Sequence, residues 1–254
     1  MIDEGIYLNR LLSVIIPAYR EGKNLASNLE PIIHALRFSR ISFEIILIVD
    51  MVSNDSTSEV AKRIASSYHE VHLIIRHGRQ GVGSAIRLAI RSARGENVLI
   101  LMADGAESVN DVTALASAIK EGYDIVVGSR FIENAKIIGY PPMKHCFNRL
   151  CNLVVRLLFR IPTSDITNAF KAYSLRIVRE LHLRSSGYSI FLELPIKAYL
   201  SSSRKLAEIP ISHTATSKRH GLRIFRDGIF YCVLLFDLIL LSMQMTRRRY
   251  DSER

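Results

Sequence analysis

The chain has 254 residues, 48 % of them apolar, so it can bury the core of one large α/β domain and is not an intrinsically disordered segment. Its 34 Lys and Arg against 24 Asp and Glu give a formal charge of +10, which suits a phosphorylated or anionic partner without choosing among nucleotide, nucleic acid and membrane surface. Three cysteines, Cys146, Cys151 and Cys232, fit no zinc spacing and are odd in number, so reduced thiols in a cytosolic setting are expected. The opening MIDEGIYLNR is acidic and lacks a long apolar stretch. No signal peptide is expected there, which places the catalytic part on the cytoplasmic side.

Residues 11–16, apolar, β-branched and ended by Pro17, read as a first buried strand. Ala18, Tyr19, Arg20 and Glu21 then turn into a helix that begins near Leu25. Residues 43–49 form the second strand, and it ends at Asp50. A carboxylate at such a strand tip can accept a hydrogen bond from a base or a ribose. Asp55, Ser56 and Thr57 read as the cap of the helix that follows. A third strand, residues 71–75, runs into RHGRQGVGSA. Gly81 and Gly83 there let backbone amides approach a ligand closely, and the next helix begins with its positive end exposed.

The stretch VLILMADGAE, residues 98–107, organises the rest. Its apolar run shows no alternation, as expected of a parallel strand covered on both faces, and ligands in such sheets bind beyond the strand's carboxyl end. Asp104 and Glu107 stand at that place. A carboxylate there suits a divalent metal shared with phosphate oxygens, and it equally suits the cap of the helix that opens near residues 109–111. A further strand over residues 123–128 leads to Ser129 and Arg130. Strands alternating with helices of ten or more residues predict a mostly parallel sheet with right-handed crossovers.

The ordered blocks LLSVIIPAYRE, FEIILIVD, GVGSAIRLAI, ARGENVLILMAD, EGYDIVVGSRF, SDITNAFKAY, FLELPIKA and EIPI resemble family 2 glycosyltransferases, nearest in type to the dolichyl- or polyprenyl-phosphate hexose synthases. The resemblance spans roughly residues 11–211. It implies a GT-A fold, a Rossmann-like sheet that binds a nucleotide sugar through Mg²⁺ or Mn²⁺, and inverting transfer of a hexose to a lipid phosphate. Carried over by motif, Asp50 contacts the nucleobase, and Pro17, Ala18 and Glu21 form the nucleotide-side turn, with Arg20 where the family usually has Asn. Asp104 matches the second carboxylate of the Asp-x-Asp metal motif, while Met102 stands at the first. Glu107 or Asp50 would supplement it. Gly83 belongs to the donor-side loop.

By the same resemblance Arg130, Lys144 and Asn148 face the acceptor phosphate, and Asp165 and Glu193 lie near the sugar and acceptor. A phosphate monoester is already ionised and needs cationic positioning rather than a base. Residue by residue, Asp165 also fits a turn cap after Pro162, and Glu193 a buried ion pair. His145, His213 and His220 have no ligand spacing and read as solvated or structural. Lys218, Arg219, Gly221 and Arg223 are the counterparts of a basic lid over the diphosphate, with Arg219 a substrate contact.

Residues 148–161 read as an amphipathic helix, with Arg149, Asn152, Arg156 and Arg160 on one face and Leu150, Leu153, Val154, Leu157 and Leu158 on the other. The pattern fits a helix in a membrane interface and a helix packed on its own core equally well. Residues 228–245 are the most apolar segment, but about 17 helical residues rise only about 26 Å, short of a ~30 Å hydrocarbon core. With Asp237 at its middle, an interfacial or re-entrant helix is expected over a span, and a dimerisation helix is the other use of such a segment. The organisation expected is a catalytic domain over residues 1–225 and a C-terminal apolar helix with a basic tail over 226–254.

The implied partners are therefore a nucleotide sugar, a lipid phosphate and a membrane surface, with a homo-oligomer as a further option. Transfer to a hydroxyl would need a base such as Asp165. A sugar nucleotidyltransferase would carry a glycine-rich basic loop where Ala18 to Glu21 stand. A nucleic-acid module lacks support, since no aromatic-studded basic strand and no tryptophan is present.

Overall fold

The computed structural model describes residues 11–22, 24–51 and 55–215. In chain order these form β1 (Leu12–Ala18), α1 (Leu25–Phe38), β2 (Phe43–Met51), α2 (Thr57–Ser67), β3 (Val71–His77), α3 (Val82–Ser92), β4 (Asn97–Ile100) and α4 (Val109–Ala118). There follow β5 (Ile125–Ser129), β6 (Lys136–Ile138), α5 (Pro142–Phe159), β7 (Lys171–Ser174), α6 (Leu175–Arg179), α7 (Ile190–Ser201), β8 (Leu206–Pro210) and β9 (Ser212–Thr214). The main sheet has the order β3-β2-β1-β4-β7-β5-β8, with β7 antiparallel to both neighbours and all other pairs parallel. A second, two-stranded sheet pairs β6 with β9.

Both faces of the sheet are covered, which explains why its strands read as unbroken apolar runs. Ile45, Leu47 and Val49 of β2 join Leu29, Ile33 and Leu36 of α1 and Leu115 of α4 on one face. Ile46 and Ile48 point the other way, to Ile86 and Ile90 of α3 and to Ile190, Leu194 and Ile196 of α7. Each such buried aliphatic side chain contributes about 1.5 to 3 kcal/mol by leaving water.

The ladders of β1, β2 and β3 run about two residues past the expected ends, because backbone pairing continues beyond the apolar runs that mark the strands in sequence. Pro17 therefore lies inside β1 rather than ending it. It is tolerated because the β4 side of the ladder already stops at Ile15 opposite Ile100. These projecting ends of β1 to β3, and the early end of β4, open a shelf at the carboxyl edge of the sheet. Among the described residues no helix is long and apolar enough to cross a membrane. Arg219 and the apolar segment 228–245 lie outside the described residues.

Candidate active site

At the shelf, the loop after β4 is pinned to α1. Asn28 donates its amide to the Ala103 carbonyl at 3.0 Å. Gly105 takes φ +72°, and a Cβ there would stand 2.7 Å from Asn28 Oδ1, so glycine is required at this crossing. The loop holds Asp104 half-buried at the mouth, its Oδ1 accepting from the Ala106 amide at 3.2 Å. Capping of α4 falls instead to Ser108, whose hydroxyl accepts from the Asp111 amide. The capping role that competed for Asp104 is thus already filled. Across the shelf, burial and then the charges of Asp104 and Asp55 push the Glu21 carboxyl up to about 7. Glu21 is set there by its own amide, which donates to Thr57 Oγ1 at 2.8 Å.

Glu107 and His213 meet just behind Asp104. A single antiparallel bridge joins the two residues, and the Thr214 amide donates to the Ala106 carbonyl. The Glu107 side chain is 2 % exposed, and its Oε1 lies 3.9 Å from His213 Nδ1. Glu107 Oε2 and His213 Nδ1 are both buried without a hydrogen-bond partner among the described residues. Burial, then the charge of Asp104, raises the Glu107 carboxyl to about 8, while burial and Arg130 lower the His213 imidazole to about 4. His213, read from the sequence as solvated or structural, is mostly buried beside Glu107. Strand β9 delivers it to the site from more than a hundred residues away in the chain, a distance no local spacing signals.

The Asp104 carboxylate at the mouth and, behind it, Glu107 Oε2 and the neutral imidazole's Nδ1 are groups of the kind that bind a divalent cation. Among the described residues no group of three His, Cys, Asp or Glu side chains could hold one unaided. The donor's phosphate oxygens would therefore have to complete its shell. Glu107 also yields a test. With its carboxyl raised from 4.5 to about 8, its contribution to stability is fully present below 4.5 and is lost as pH rises through 8. Glu107→Gln is expected to flatten that decline, read as melting temperature against pH across the same window.

On the β5 side the residues expected to face an acceptor phosphate gather around Tyr140, which sequence reasoning did not single out. Arg130 Nη1 and Asn148 Nδ2 both donate to the Tyr140 hydroxyl, at 3.0 and 2.5 Å. The Lys144 ammonium sits 4.9 Å from the same ring, and His145 and His213 meet it edge-on. Arg130, Lys144 and Asn148, expected together, are together. Arg130 is also held from behind. Asp165 accepts from its Nε at 2.7 Å, from its Nη2 at 2.8 Å and from its backbone amide at 3.0 Å.

Asp165 itself is 0 % exposed and takes a further bond from Asn152. Burial alone would raise its carboxyl, but the Arg130 charge and hydrogen bonds outweigh this and hold it below its ordinary value. Asp165 therefore touches no open space. It holds Arg130 from behind, where a direct catalytic role was expected of it. Beneath it Lys171, fully buried on β7, donates to the Asn168 carbonyl, and burial draws its ammonium down to about 7.

Three further expected site residues, Asp50, Gly83 and Glu193, are engaged by other parts of the chain. The Asp50 carboxylate turns inward, accepting from Arg76 Nε at 2.7 Å and from the Gln80 and Gly81 amides at 3.0 and 3.2 Å. It braces the loop between β3 and α3 rather than presenting an edge to a base. The start of α3 is covered, since the Gly83 and Ser84 amides donate to the Ser186 carbonyl. Its expected exposed positive end is spent on the chain itself. Glu193 lies on α7, away from the acceptor cluster, accepting from the Arg184 and Ser185 amides and pairing with Lys197 at 2.6 Å. It fastens the loop that covers α3, the buried-pair role weighed for it above.

A Cβ on Gly83 would stand 2.4 Å from the Ser185 carbonyl and 2.8 Å from that of Gly187. Gly83→Ala is expected to cost about 1 to 3 kcal/mol through this overpacking, measurable by urea unfolding. Pro17 and Ala18 are buried at the end of β1 and form the floor beneath Tyr19, whose ring carries the guanidinium groups of Arg20 and Arg79 at 5.4 and 5.2 Å. Arg20 adopts φ +61°, a left-handed conformation that Asn takes more readily.

A mostly parallel sheet with an acidic mouth at β4 and a cationic wall beyond β5 defines a GT-A-type α/β protein. A family model, Glycosyl transferase family 2, matches residues 13–182, and the chain belongs to that family. It is 31 % identical over 220 residues to the dolichol-phosphate mannosyltransferase of Pyrococcus furiosus, an alignment covering 84 % of this chain and 60 % of that protein. It thus spans less than two thirds of that relative's length. To the polyprenol monophosphomannose synthase of Mycolicibacterium smegmatis it is 28 % identical over 228 residues, covering 85 % of this chain and 83 % of the relative. Among solved structures, glucosyl-3-phosphoglycerate synthase from Mycobacterium tuberculosis, in complex with Mn²⁺, UDP and phosphoglyceric acid, superposes with a TM-score of 0.72. The identity is 18 %, with 91 % of this chain and 79 % of that one covered, and the likeness shows the fold.

Proposed function

We propose that the protein transfers a hexose, mannose or glucose, from a GDP- or UDP-sugar to a polyprenyl or dolichyl phosphate, with inversion, at the cytoplasmic face of a membrane. The observation that carries this reading is the enclosure of Asp165. A hydroxyl acceptor needs a base, and the carboxylate nearest the cationic wall is fully buried and committed to Arg130. A phosphate acceptor is ionised at neutral pH and needs only to be held. Lys144, Asn148 and Tyr140, with Arg130 locked behind them, are suited to hold it. The names of the two curated relatives point to the same acceptor class.

Asp104, with His213 and Glu107 behind it, is the place for Mg²⁺ or Mn²⁺. When bound, such an ion neutralises the diphosphate that departs from the sugar. Glu21, Pro17 and Ala18 border the donor, and Arg219 is kept as a contact of the basic segment beyond β9. Hexose transfer to a hydroxyl is the competing reading. Purified protein incubated with labelled GDP-mannose, UDP-glucose, Mn²⁺ and polyprenyl phosphate is expected to place label in the lipid fraction. Label appearing only on free sugars or glycerol would replace the phosphate acceptor with a hydroxyl one.

A further inference from the structure

The helix α5 turns the usual rule of an amphipathic helix inside out. Its buried positions are Asn152, Val155 and Phe159, and the inward Asn152 is spent on polar bonds: its Oδ1 accepts from the Thr167 amide at 3.0 Å and its Nδ2 donates to Asp165. The opposite side carries Met143, Phe147, Leu150, Leu153, Val154, Leu157 and Leu158, all exposed, with Met143 at 83 % and Leu157 at 69 %. At 100° per residue these seven fall on one continuous arc centred on Leu150 and Leu157. Contiguous apolar exposure of this kind marks an interaction surface rather than a chance of composition.

We infer that this face of α5 docks on the surface of an anionic lipid bilayer. Two observations choose that occupant. Arg149 and Arg156 are exposed along one rim of the apolar arc, and Arg160 follows at its end, placing cations at the level of lipid phosphates while the leucines enter the acyl boundary. The same helix also directs Lys144 and Asn148 inward to Tyr140, one turn from the apolar face. A single rigid element thus sets the acceptor cluster at headgroup depth, where a lipid phosphate travels in the plane. The docking stands on the geometry of α5. Only its use in delivering a lipid phosphate rests on the proposed function. The core is met by Asn152, Val155 and Phe159, and the leucines of the helix face away from it.

The chain has no tryptophan, so Leu157→Trp in the full-length protein creates a lone reporter. Vesicles of phosphatidylglycerol and phosphatidylcholine are expected to shift its emission to the blue, and lipids brominated near the headgroup end of the chain to quench it, both effects weakening at high salt. Three results would overturn the docking: emission unmoved by vesicles; emission already blue without vesicles and insensitive to dilution, which would mean that another part of the chain covers α5; and a blue shift lost on dilution, which would mean a second copy. Independently, Leu150→Glu with Leu157→Glu is expected to lower transfer to long-chain polyprenyl phosphate in vesicles by about tenfold or more. Transfer to a short, water-soluble isoprenyl phosphate should stay near the parent level. Quenching intact with no transfer to either acceptor would fault the enzymatic reading and leave the docking standing.

Discussion

Replacing Asp104 with alanine is expected to lower hexose transfer about a thousandfold, equivalent to about 4 kcal/mol of lost transition-state stabilisation. The reason is scarcity. Met102 stands where the family motif has its first carboxylate, Glu107 is buried, and Asp104 is left as the motif carboxylate at the mouth. The fold should not suffer. Asp104 accepts from the Ala106 amide two residues on, and its charge raises the Glu21 and Glu107 carboxyls. Relief of that repulsion should leave the melting temperature equal or higher. Mn²⁺ binding in the presence of a nucleoside diphosphate, followed by electron paramagnetic resonance, should weaken in parallel. Full activity in this variant would remove Asp104 from the chemistry.

Asp165→Asn is expected to behave in the opposite way, through stability first. The substitution leaves the Arg130 guanidinium, itself buried, without its charge partner, and breaking such a pair costs about 3 to 5 kcal/mol. In a domain of this size that corresponds to a fall of about 10 °C in melting temperature. The sign with pH follows from the lowered carboxyl: the pair's contribution is present above the ordinary value of 3.8 and is lost as pH falls through the folded-state value. Calorimetry of parent and variant should therefore converge in acid and diverge toward neutrality. A base would instead show intact stability, with transfer lost and the acidic limb of its pH profile changed. That outcome would restore Asp165 to the reaction and favour a hydroxyl acceptor.

Strands β1 to β5 were legible in the chain because each is an apolar, largely β-branched run ended by a polar turn, whereas β6, the antiparallel β7 and β9 carry no such run. The placement of Asp104 followed from the same pattern. Side-chain direction was not legible. Asp50, Gly83 and Glu193 sit where the motifs put them in sequence, yet all three are occupied by the chain itself, by Arg76, by Ser186 and by the loop at 184–185. The motif carries the position, whereas occupancy depends on loops that return from distant segments. Tyr140 and His213 were missed for the same reason. Tyr140 gathers its partners from β5 and α5, and His213 reaches Glu107 only because β9 folds back over the β4 loop.

Local order of apolar and polar residues was enough to determine the α/β alternation, the buried parallel core and an acidic residue at the sheet's mouth, since burial on two faces and strand pairing act over a few residues at a time. Tertiary structure decided which charges are spent and which are offered, and which side of α5 meets water. Those outcomes are set by pairings across 35 residues, as between Arg130 and Asp165, or across more than a hundred, as between Glu107 and His213. Hydrogen bonds and ion pairs of that span form only after the sheet has brought their elements together, so no window along the chain contains them.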